Sequence, residues 1–321
     1  MEFKYCLPQY LKCGIIQSTD QFDLKNAFSG FSPLLKKLRN TFYNIIMPID
    51  YYGQSASNKI YENLTSNKPA AICRFGRIEI ASMKEIDLIN KGKSKYYKDK
   101  FKALESNAGF FPIKENNIKK FYLRMKEDIR YVDILGQWCP EELYFKDELK
   151  NIKKIPLEDI EPFNHKSPWT RALKRKKVLV ITPYSNTIIK QYKKRKLLFK
   201  NKDILPKFKL LTLTSVNSVG GENEGFESWF EALKYMENKI SKIDFDIAIL
   251  GCGAYGLPLA AHIKRIGKKA VHMGGSTQLL FGIKGKRWEE SHLNLINKHW
   301  VRPASNERPK NYKKIESGCY W

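Results

Sequence analysis

The sequence predicts an α/β protein with a Rossmann-like, mostly parallel sheet and helices on both faces. From about residue 55 onward, short apolar segments alternate with segments of helical periodicity. The strand segments are apolar at nearly every position, which is typical of parallel sheets that are buried on both faces. A glycine-rich turn at 251–256 joins one such strand to a helix, as in nucleotide-binding βα units.

The predicted elements alternate along the chain. An apolar strand at 70–76 precedes a helix at 77–90, and a further strand is predicted at 132–136. The later strands are predicted at 176–184, 209–216, 246–251 and 269–275, and the clearest helices at 186–199 and 224–240. Ligands of such sheets bind beyond the carboxyl ends of the strands, so the residues that follow each strand are the functional candidates.

The chain is predicted to have three parts. Residues 1–54 form a weakly patterned N-terminal extension, and residues 55–290 form the Rossmann-like domain. Residues 291–321 form a basic, aromatic tail that is expected to pack on the domain, because aromatic side chains are too apolar for a simple solvated tail.

The charge and the cysteines limit the class of protein. Lysine and arginine number 58 against 33 acidic residues, a net charge of +25, which attracts polyanions, anionic lipid surfaces and phosphate-bearing small molecules alike. The six cysteines are scattered without a C-x-x-C pair, which indicates reduced thiols in a reducing compartment. No signal peptide and no apolar run of about 18 residues is present. We expect a cytoplasmic protein in peripheral contact with the inner face of the membrane.

Gly251, Gly253 and Gly256 have the spacing G-x-G-x-x-G, and the helix N-terminus that follows suits a phosphate. A nicotinamide enzyme also needs an acidic residue about 20 positions later for the ribose hydroxyls. That position falls at 272–275, where the sequence is His-Met-Gly-Gly. The turn therefore favours another phosphate ligand over NAD(P), and glycine packing without a ligand is the alternative.

Polar and basic residues follow two other strands. Gly274 and Gly275 precede Ser276, and Lys286 and Arg287 form a basic pair shortly afterwards. These groups suit a diphosphate, whereas the alternative is that the basic pair is solvated surface charge. Asn217, which follows the strand at 209–216, can hydrogen-bond a sugar, or its side chain can stabilise a turn of the backbone.

A second constellation follows the first strand. In the segment CRFGRIEI, Arg74 and Arg77 flank Gly76, and Glu79 lies in the first turn of the next helix. Arginines can hold a phosphate bidentately, and a carboxylate can take a proton or bind a metal. The alternative for Glu79 is an acidic residue that the helix dipole favours.

The motif R-F-G-x-x-E resembles the Arg-Phe-Gly-Asp-Gly-Glu motif of the GT-D-fold glycosyltransferases, and the similarity in element order extends over roughly residues 60–285. In that family a D-x-E pair is associated with metal and nucleotide-sugar binding. Arg74, Phe75, Gly76 and Glu79 match the motif, but Arg77 stands where the family has Asp. The metal site that the resemblance implies, Mn²⁺ or Mg²⁺ on Glu79, thus lacks its paired carboxylate.

The resemblance implies a GT-D-like fold and a polysaccharide-building glycosyltransferase that moves a sugar from a nucleotide-diphosphate sugar to a surface glycan or glycoconjugate. Glu79 and Arg77 are the predicted catalytic residues. The predicted donor-binding residues are Arg74, Gly76, Asn217, Gly251, Gly253, Gly256, Gly274, Gly275, Ser276, Lys286 and Arg287. We favour Arg77 as a replacement for the charge of a metal over a lone Glu79 or a loss of activity.

Two other classes of function stay open at the level of sequence. One is an NAD(P)-dependent oxidoreductase that uses the G-x-G-x-x-G turn. The other is a non-enzymatic, polyanion-binding protein, although no motif specific for nucleic acid accompanies the basic runs. The sugar, the acceptor, the stereochemistry and the oligomeric state do not follow from the sequence.

Overall fold

A computed structural model of the protein describes residues 47–321. These residues form an α/β fold around a seven-stranded sheet in the order β3-β2-β1-β7-β6-β4-β5, and every strand pair is parallel. The predicted parallel sheet with helices on both faces is confirmed.

The strands are β1 (Ala70–Arg74), β2 (Ile134–Gln137), β3 (Lys153–Pro156), β4 (Lys177–Thr182), β5 (Lys209–Thr214), β6 (Ile247–Leu250) and β7 (Lys269–His272). The α-helices are α1 (Gly53–Thr65), α2 (Arg77–Asn90), α3 (Lys102–Ser106), α4 (Glu115–Ile129), α5 (Lys146–Leu149), α6 (Ser185–Lys193), α7 (Arg195–Leu198), α8 (Trp229–Ser241), α9 (Gly256–Arg265), α10 (Ser276–Leu280) and α11 (Lys286–Ser291). Short 3₁₀ turns connect many of these elements.

The sheet separates two hydrophobic cores. Helices α2, α4, α8 and α9 pack on one face, and helices α1, α6 and α10 pack on the other. Successive strand residues alternate between the two cores, so that Ala71 and Cys73 face the first and Ala70 and Ile72 the second. This two-sided burial explains why the strands are apolar at nearly every position.

The topology opens a crevice where neighbouring strands lead to opposite faces. The chain leaves β1 and β6 for helices on one face, whereas it leaves β7 and β4 for helices on the other. In this order, β1 lies beside β7 and β6 lies beside β4. Such changes of direction are where α/β sheets bind ligands, at the carboxyl edge of the strands.

Two predicted helices differ from the structure. The helix predicted at 224–240 begins only at Trp229, because Glu224 and Gly225 have φ of 49° and 86° and Ser228 is the N-cap. The Ser228 hydroxyl accepts the Glu231 N–H at 3.3 Å. The helix predicted at 186–199 is interrupted at Lys194 and continues as one short turn.

The structure describes little of the predicted N-terminal extension but most of the predicted C-terminal tail. Of the predicted extension 1–54, residues 1–46 lie outside the described residues. At the other end, Trp300 and Trp321 are buried in the same core as β7 and α10. Glu307 accepts the Asn186 N–H at 2.7 Å at the start of α6.

Within residues 47–321, no helix has both the length and the apolarity needed to cross a bilayer.

Candidate functional site

The carboxyl edge of the sheet brings together the turns that follow β1, β7 and β6. Gly274, after β7, lies beside both neighbours. An ideal Cβ built on Gly274 would be 3.1 Å from Nη1 of Arg74, and one built on Gly251 would be 2.7 Å from the Gly274 carbonyl oxygen. The turn after β7 therefore lies between the motif around Arg74 and the glycine turn at 251–256.

The guanidinium of Arg74 is held in place at the end of β1. Its Nε donates to the Phe75 carbonyl at 3.0 Å, and its Cζ lies 4.7 Å from the centroid of the Trp138 ring. The Trp138 indole N–H donates to the same Phe75 carbonyl at 2.8 Å, so one carbonyl oxygen accepts hydrogen bonds from both the ring and the guanidinium. Stacking on an aromatic face orients an arginine without consuming its terminal nitrogens.

The terminal nitrogens of Arg74 and the guanidinium of Arg77 have no carboxylate partner among residues 47–321. Some other arginines of the described residues are paired with carboxylates. Arg124 and Arg265, for example, both bind the buried Asp128, at 2.6 and 2.7 Å. Two unpaired guanidinium groups within four residues leave positive charge at the end of β1 that an anion can neutralise.

Glu79 folds back over the start of α2. Gly76 is the N-cap of this helix, and Glu79 lies in its first turn. An ideal Cβ on Gly76 would lie 1.8 Å from Oε2 and 2.2 Å from Cδ of Glu79, so only glycine leaves room for the carboxylate in this position. The carboxylate thus lies over the N-terminus of α2, where the helix dipole favours an acidic side chain.

A buried carboxyl group supports the residue that stacks on Arg74. Glu142 is fully buried and accepts the N–H groups of Trp138, at 3.3 Å, and Cys139, at 3.2 Å. Burial raises the pKa of Glu142 to about 8, against the lowering effect of these two hydrogen bonds and of Arg74. Glu142 thus fixes the turn after β2 that carries Trp138.

The close approaches at the G-x-G-x-x-G turn are made by the protein itself. An ideal Cβ on Gly251 would be 2.7 Å from the Thr277 side chain, and one on Gly256 would be 2.0 Å from the His272 ring. Gly253 has φ of 55°, and the carbonyl of Ala108 would be 3.2 Å from its ideal Cβ. The same carbonyl accepts the Ala254 N–H at 3.2 Å, so that one N–H of the turn is already bonded. These contacts support the packing alternative for the three glycines.

The second glycine segment lies against the C-terminal tail. An ideal Cβ on Gly275 would be 3.0 Å from both the Trp288 ring and the Tyr320 ring. The Tyr320 hydroxyl accepts a hydrogen bond from Arg287 at 2.6 Å, and the Cys319 carbonyl accepts the Arg287 N–H at 2.9 Å. Lys286, in contrast, is exposed. The tail therefore already bonds Arg287, one of the groups predicted to bind the donor.

Two further predicted donor residues have partners within the protein. The Ser276 hydroxyl donates to the buried carboxylate of Glu161 at 2.5 Å. Asn217 lies in the loop after the edge strand β5, and its N–H bonds the carboxylate of Glu224. The next residue, Ser218, is 2.8 Å from the Tyr255 hydroxyl, which brings this loop to the β6 turn and not to the β1 motif.

The residues present do not make the two-carboxylate metal site that the resemblance implies. Arg77 places positive charge where the family has Asp, next to the single carboxylate of Glu79. Across the described part of the chain, no group of three or more His, Cys, Asp or Glu side chains is arranged to hold a metal ion. We therefore derive no catalytic step through a metal.

Sequence reasoning missed Trp138 and Glu142 as parts of this edge. Trp138 carried a usable signal, since it comes just after the apolar strand predicted at 132–136 and so falls at the carboxyl edge. Glu142 gave none, because its role depends on a 3₁₀ turn that no local pattern predicts.

A second cleft lies at the opposite edge of the sheet. It has a volume of about 490 Å³ at the amino ends of β2 and β3, and its lining includes Asp133, Lys153 and Lys264. Lys264 and Asp133 form an ion pair at 2.7 Å, so these charges satisfy each other. The unpaired positive charge described above lies at the carboxyl edge instead.

Comparison with known proteins gives a distant likeness. No protein-family model and no curated protein matches the chain. One similar solved structure is a selenomethionine-substituted domain of unknown function 1792. It is 11% identical, with a TM-score of 0.41, and the match covers 80% of this chain and 91% of that chain. Another is described as domain of unknown function 1792 with a distinct glycosyltransferase fold. It is also 11% identical, with a TM-score of 0.43 and coverage of 82% and 94%. At these TM-scores the likeness carries no argument about the chemistry.

Proposed function

We propose that the protein is a glycosyltransferase that transfers a sugar from a nucleotide-diphosphate sugar to a surface glycan or glycoconjugate. One observation carries the proposal: Arg74 and Arg77 present guanidinium groups without a carboxylate partner at the carboxyl edge of β1, beside Glu79. The R-F-G-x-x-E motif and the crevice between β1 and β7 support the same assignment.

The donor diphosphate binds at Arg74 and Arg77 in this proposal. The stack on Trp138 fixes the plane of Arg74, so its terminal N–H groups meet phosphate oxygens at little cost in side-chain entropy. The N–H groups in the first turn of α2 add a partial positive charge on the same side. The binding site thus uses the β1 motif, while the glycines at 251, 253 and 256 shape the turn next to β7.

Glu79 is the proposed base. Its carboxylate takes the proton of the acceptor hydroxyl as that oxygen bonds to the anomeric carbon of the donor. The bond between the anomeric carbon and the diphosphate oxygen breaks, and its electron pair stays on the diphosphate. Arg77 and Arg74 stabilise the negative charge that develops there, in the role that a divalent cation has in metal-dependent enzymes. Glu79 lies over Gly76, in the first turn of the helix that begins at Arg77.

Structural observations disfavour the oxidoreductase alternative. The Ala254 N–H, which a cofactor pyrophosphate would use, is bonded to the Ala108 carbonyl. His272, at the end of β7, stands where a ribose-binding acid is needed, and burial, followed by the charge of Arg74, lowers its pKa to about 3. A neutral, buried imidazole packed against Gly256 is not a ribose-binding carboxylate.

The test is isothermal titration of the protein with UDP, GDP and their sugars, with and without Mn²⁺. We expect binding without the metal, and a loss of about 10- to 100-fold for Arg74→Ala or Arg77→Ala, since each removes charge-assisted hydrogen bonds. Arg130→Ala is the matched control, because Arg130 is exposed and follows α4 on another part of the surface. Absence of binding to every nucleoside diphosphate, or equal loss in the control, overturns the donor assignment.

A second measurement tests the base. Glu79→Gln keeps the size of the side chain but cannot take a proton, so turnover should fall while the affinity for the donor is kept. Unchanged turnover with the correct sugar donor would remove Glu79 from the chemistry. NADH or NADPH that copurifies with the protein would restore the oxidoreductase alternative.

A further inference from the structure

One outer surface of the protein combines exposed lysines with exposed aliphatic side chains. We call it the basic face, and it comprises Ile189, Lys190, Lys193, Lys194, Lys196, Leu197, Lys200, Leu293 and Lys298, all of which are exposed. In α6, the residues that enter the core are Ser185, Thr187, Ile188 and Gln191. Ile189, Lys190 and Lys193 therefore lie on the solvent side of the helix.

The two segments of the basic face are joined by hydrogen bonds. The Asn297 side chain donates to the carbonyls of Leu197, at 3.2 Å, and Leu198, at 3.0 Å. Asn297 directly follows the turn that runs from Leu293 to Ile296. Leu293 and Leu197 are 69% and 52% exposed, so they offer apolar surface next to the lysines.

The described part of the chain provides no acidic partner for the lysines of the basic face. No aspartate or glutamate occurs between residues 185 and 202 or between residues 291 and 306. Among the described residues, none of the five lysines 190, 193, 194, 196 and 200 forms an ion pair. Some lysines elsewhere are paired, as in Lys119 with Glu115 at 2.7 Å and Lys264 with Asp133 at 2.7 Å. The basic face thus carries a run of lysines whose charge no described carboxylate neutralises.

We propose that the basic face is a docking surface for an anionic lipid bilayer. Lysines near a negatively charged membrane surface each contribute to attraction, and adjacent aliphatic side chains insert into the interfacial region. Leu197 and Leu293 are the inserting residues, and the lysines around them contact lipid phosphates. The inference concerns a surface separate from the Arg74 site and does not depend on the proposed reaction.

Charge alone would equally attract a nucleic acid, but the leucines favour the bilayer. Surfaces that bind single strands place aromatic rings between basic residues, so that bases can stack. On the basic face the exposed apolar residues are Ile189, Leu197 and Leu293, which have no ring on which a base could stack. The only aromatic side chain of α6, Tyr192, stacks on Phe208 at 4.5 Å and is bonded to backbone groups of residues 206 and 208.

The test is flotation of the full chain with phosphatidylcholine vesicles, with and without phosphatidylglycerol. We expect binding only to the anionic vesicles. The triple change Lys193→Glu, Lys194→Glu and Lys196→Glu should weaken binding about a hundredfold or more, since each charge acts near the surface. The control carries Lys68→Glu, Lys234→Glu and Lys242→Glu, which changes the net charge equally at exposed positions outside the basic face and should retain binding.

The leucines are tested separately. Leu197→Ser combined with Leu293→Ser should weaken vesicle binding about tenfold and should make the remainder more sensitive to salt, because less apolar surface is inserted. Absence of binding to anionic vesicles overturns the proposal, and so does equal loss of binding in the two triple variants. Binding to single-stranded RNA that is tighter than binding to vesicles, and that the leucine substitutions do not change, also overturns it. Circular dichroism melting of each variant verifies that the fold is kept.

Discussion

The imidazole ring of His272 fills the space beside Gly256 in which any other residue would place its Cβ. The ideal Cβ position is 2.0 Å from Cε1 and 2.3 Å from Nδ1 of a ring that is itself buried. The helix that follows the glycine turn can lie close to β7 only because position 256 has no side chain. The third glycine of the turn therefore serves the packing of α9 on the sheet.

Gly256→Ala should lower the free energy of unfolding by about 2 to 3 kcal/mol, because neither the ring nor the backbone around it has room to move. His272→Ala alone should also destabilise the protein, since it leaves a cavity. The double variant should lose less than the sum of the two, because the new methyl group enters the space that the ring left. Urea denaturation of the four proteins measures this, and strict additivity would contradict the packing described here.

Glu142 should make the stability depend on pH. Its folded-state pKa, about 8, lies above the usual value near 4.5, so the folded state holds a proton that the unfolded state releases. The stabilisation is complete below pH 4.5 and is lost as the pH rises through 8. Between pH 6.5 and 8 the wild-type protein should lose roughly 1 to 2 kcal/mol more than Glu142→Gln.

Urea denaturation at several pH values in this window tests the Glu142 prediction. The window avoids His272, whose lowered pKa of about 3 affects stability only as the pH falls below its unfolded value of 6.5. Glu127→Gln, at an exposed position of α4, serves as the control for removal of one carboxyl group. Parallel curves for the wild-type protein and Glu142→Gln would show that the carboxyl is ionised throughout the window.

Gly76→Ala should displace the carboxylate of Glu79 while leaving the fold nearly unchanged. The three atoms nearest to the new Cβ all belong to the flexible end of the Glu79 side chain, and the φ of −71° at position 76 suits alanine. We expect a change in unfolding free energy below about 1 kcal/mol. Sugar transfer should fall by roughly 10²- to 10⁴-fold, the usual contribution of a positioned base.

The control for Gly76→Ala is a cycle with Glu79→Gln. If the alanine acts by moving the carboxylate, the double variant should be no slower than Glu79→Gln alone. Additional loss in the double variant would mean that Gly76 contributes through its own backbone and not through Glu79.

The sheet could be predicted from the sequence because its strands are continuously apolar and lie between recognisable helices. The strand β3 was missed, since its four residues Lys153–Pro156 include two lysines and look like a loop. Helix α1 was also missed, because its mean apolarity is low and only Ala56, Ser57, Ile60 and Leu64 are buried. Short or polar elements take their conformation from tertiary contacts that no local pattern records.

The candidate site was predicted in part. The motif around Arg74 and Glu79 was found because it follows a strand, and the structure brings these residues together. The stack of Arg74 on Trp138 joins residues that are far apart in the chain, so it could not be read from spacing. The partners of Ser276 and Arg287 likewise come from distant segments, Glu161 and Tyr320, and only the fold shows that these groups are already bonded.

The central position of β7 has a consequence for how the protein is made. Among the described strands, β1 to β3 are joined to β4 to β6 only through β7, which comes after all of them in the chain. A growing polypeptide therefore holds two partial sheets with open edges until residue 272 has been synthesised. Such non-local pairing slows folding, and open strand edges invite association between nascent chains. Ribosome-bound chains that stop before β7 should thus depend most strongly on chaperones.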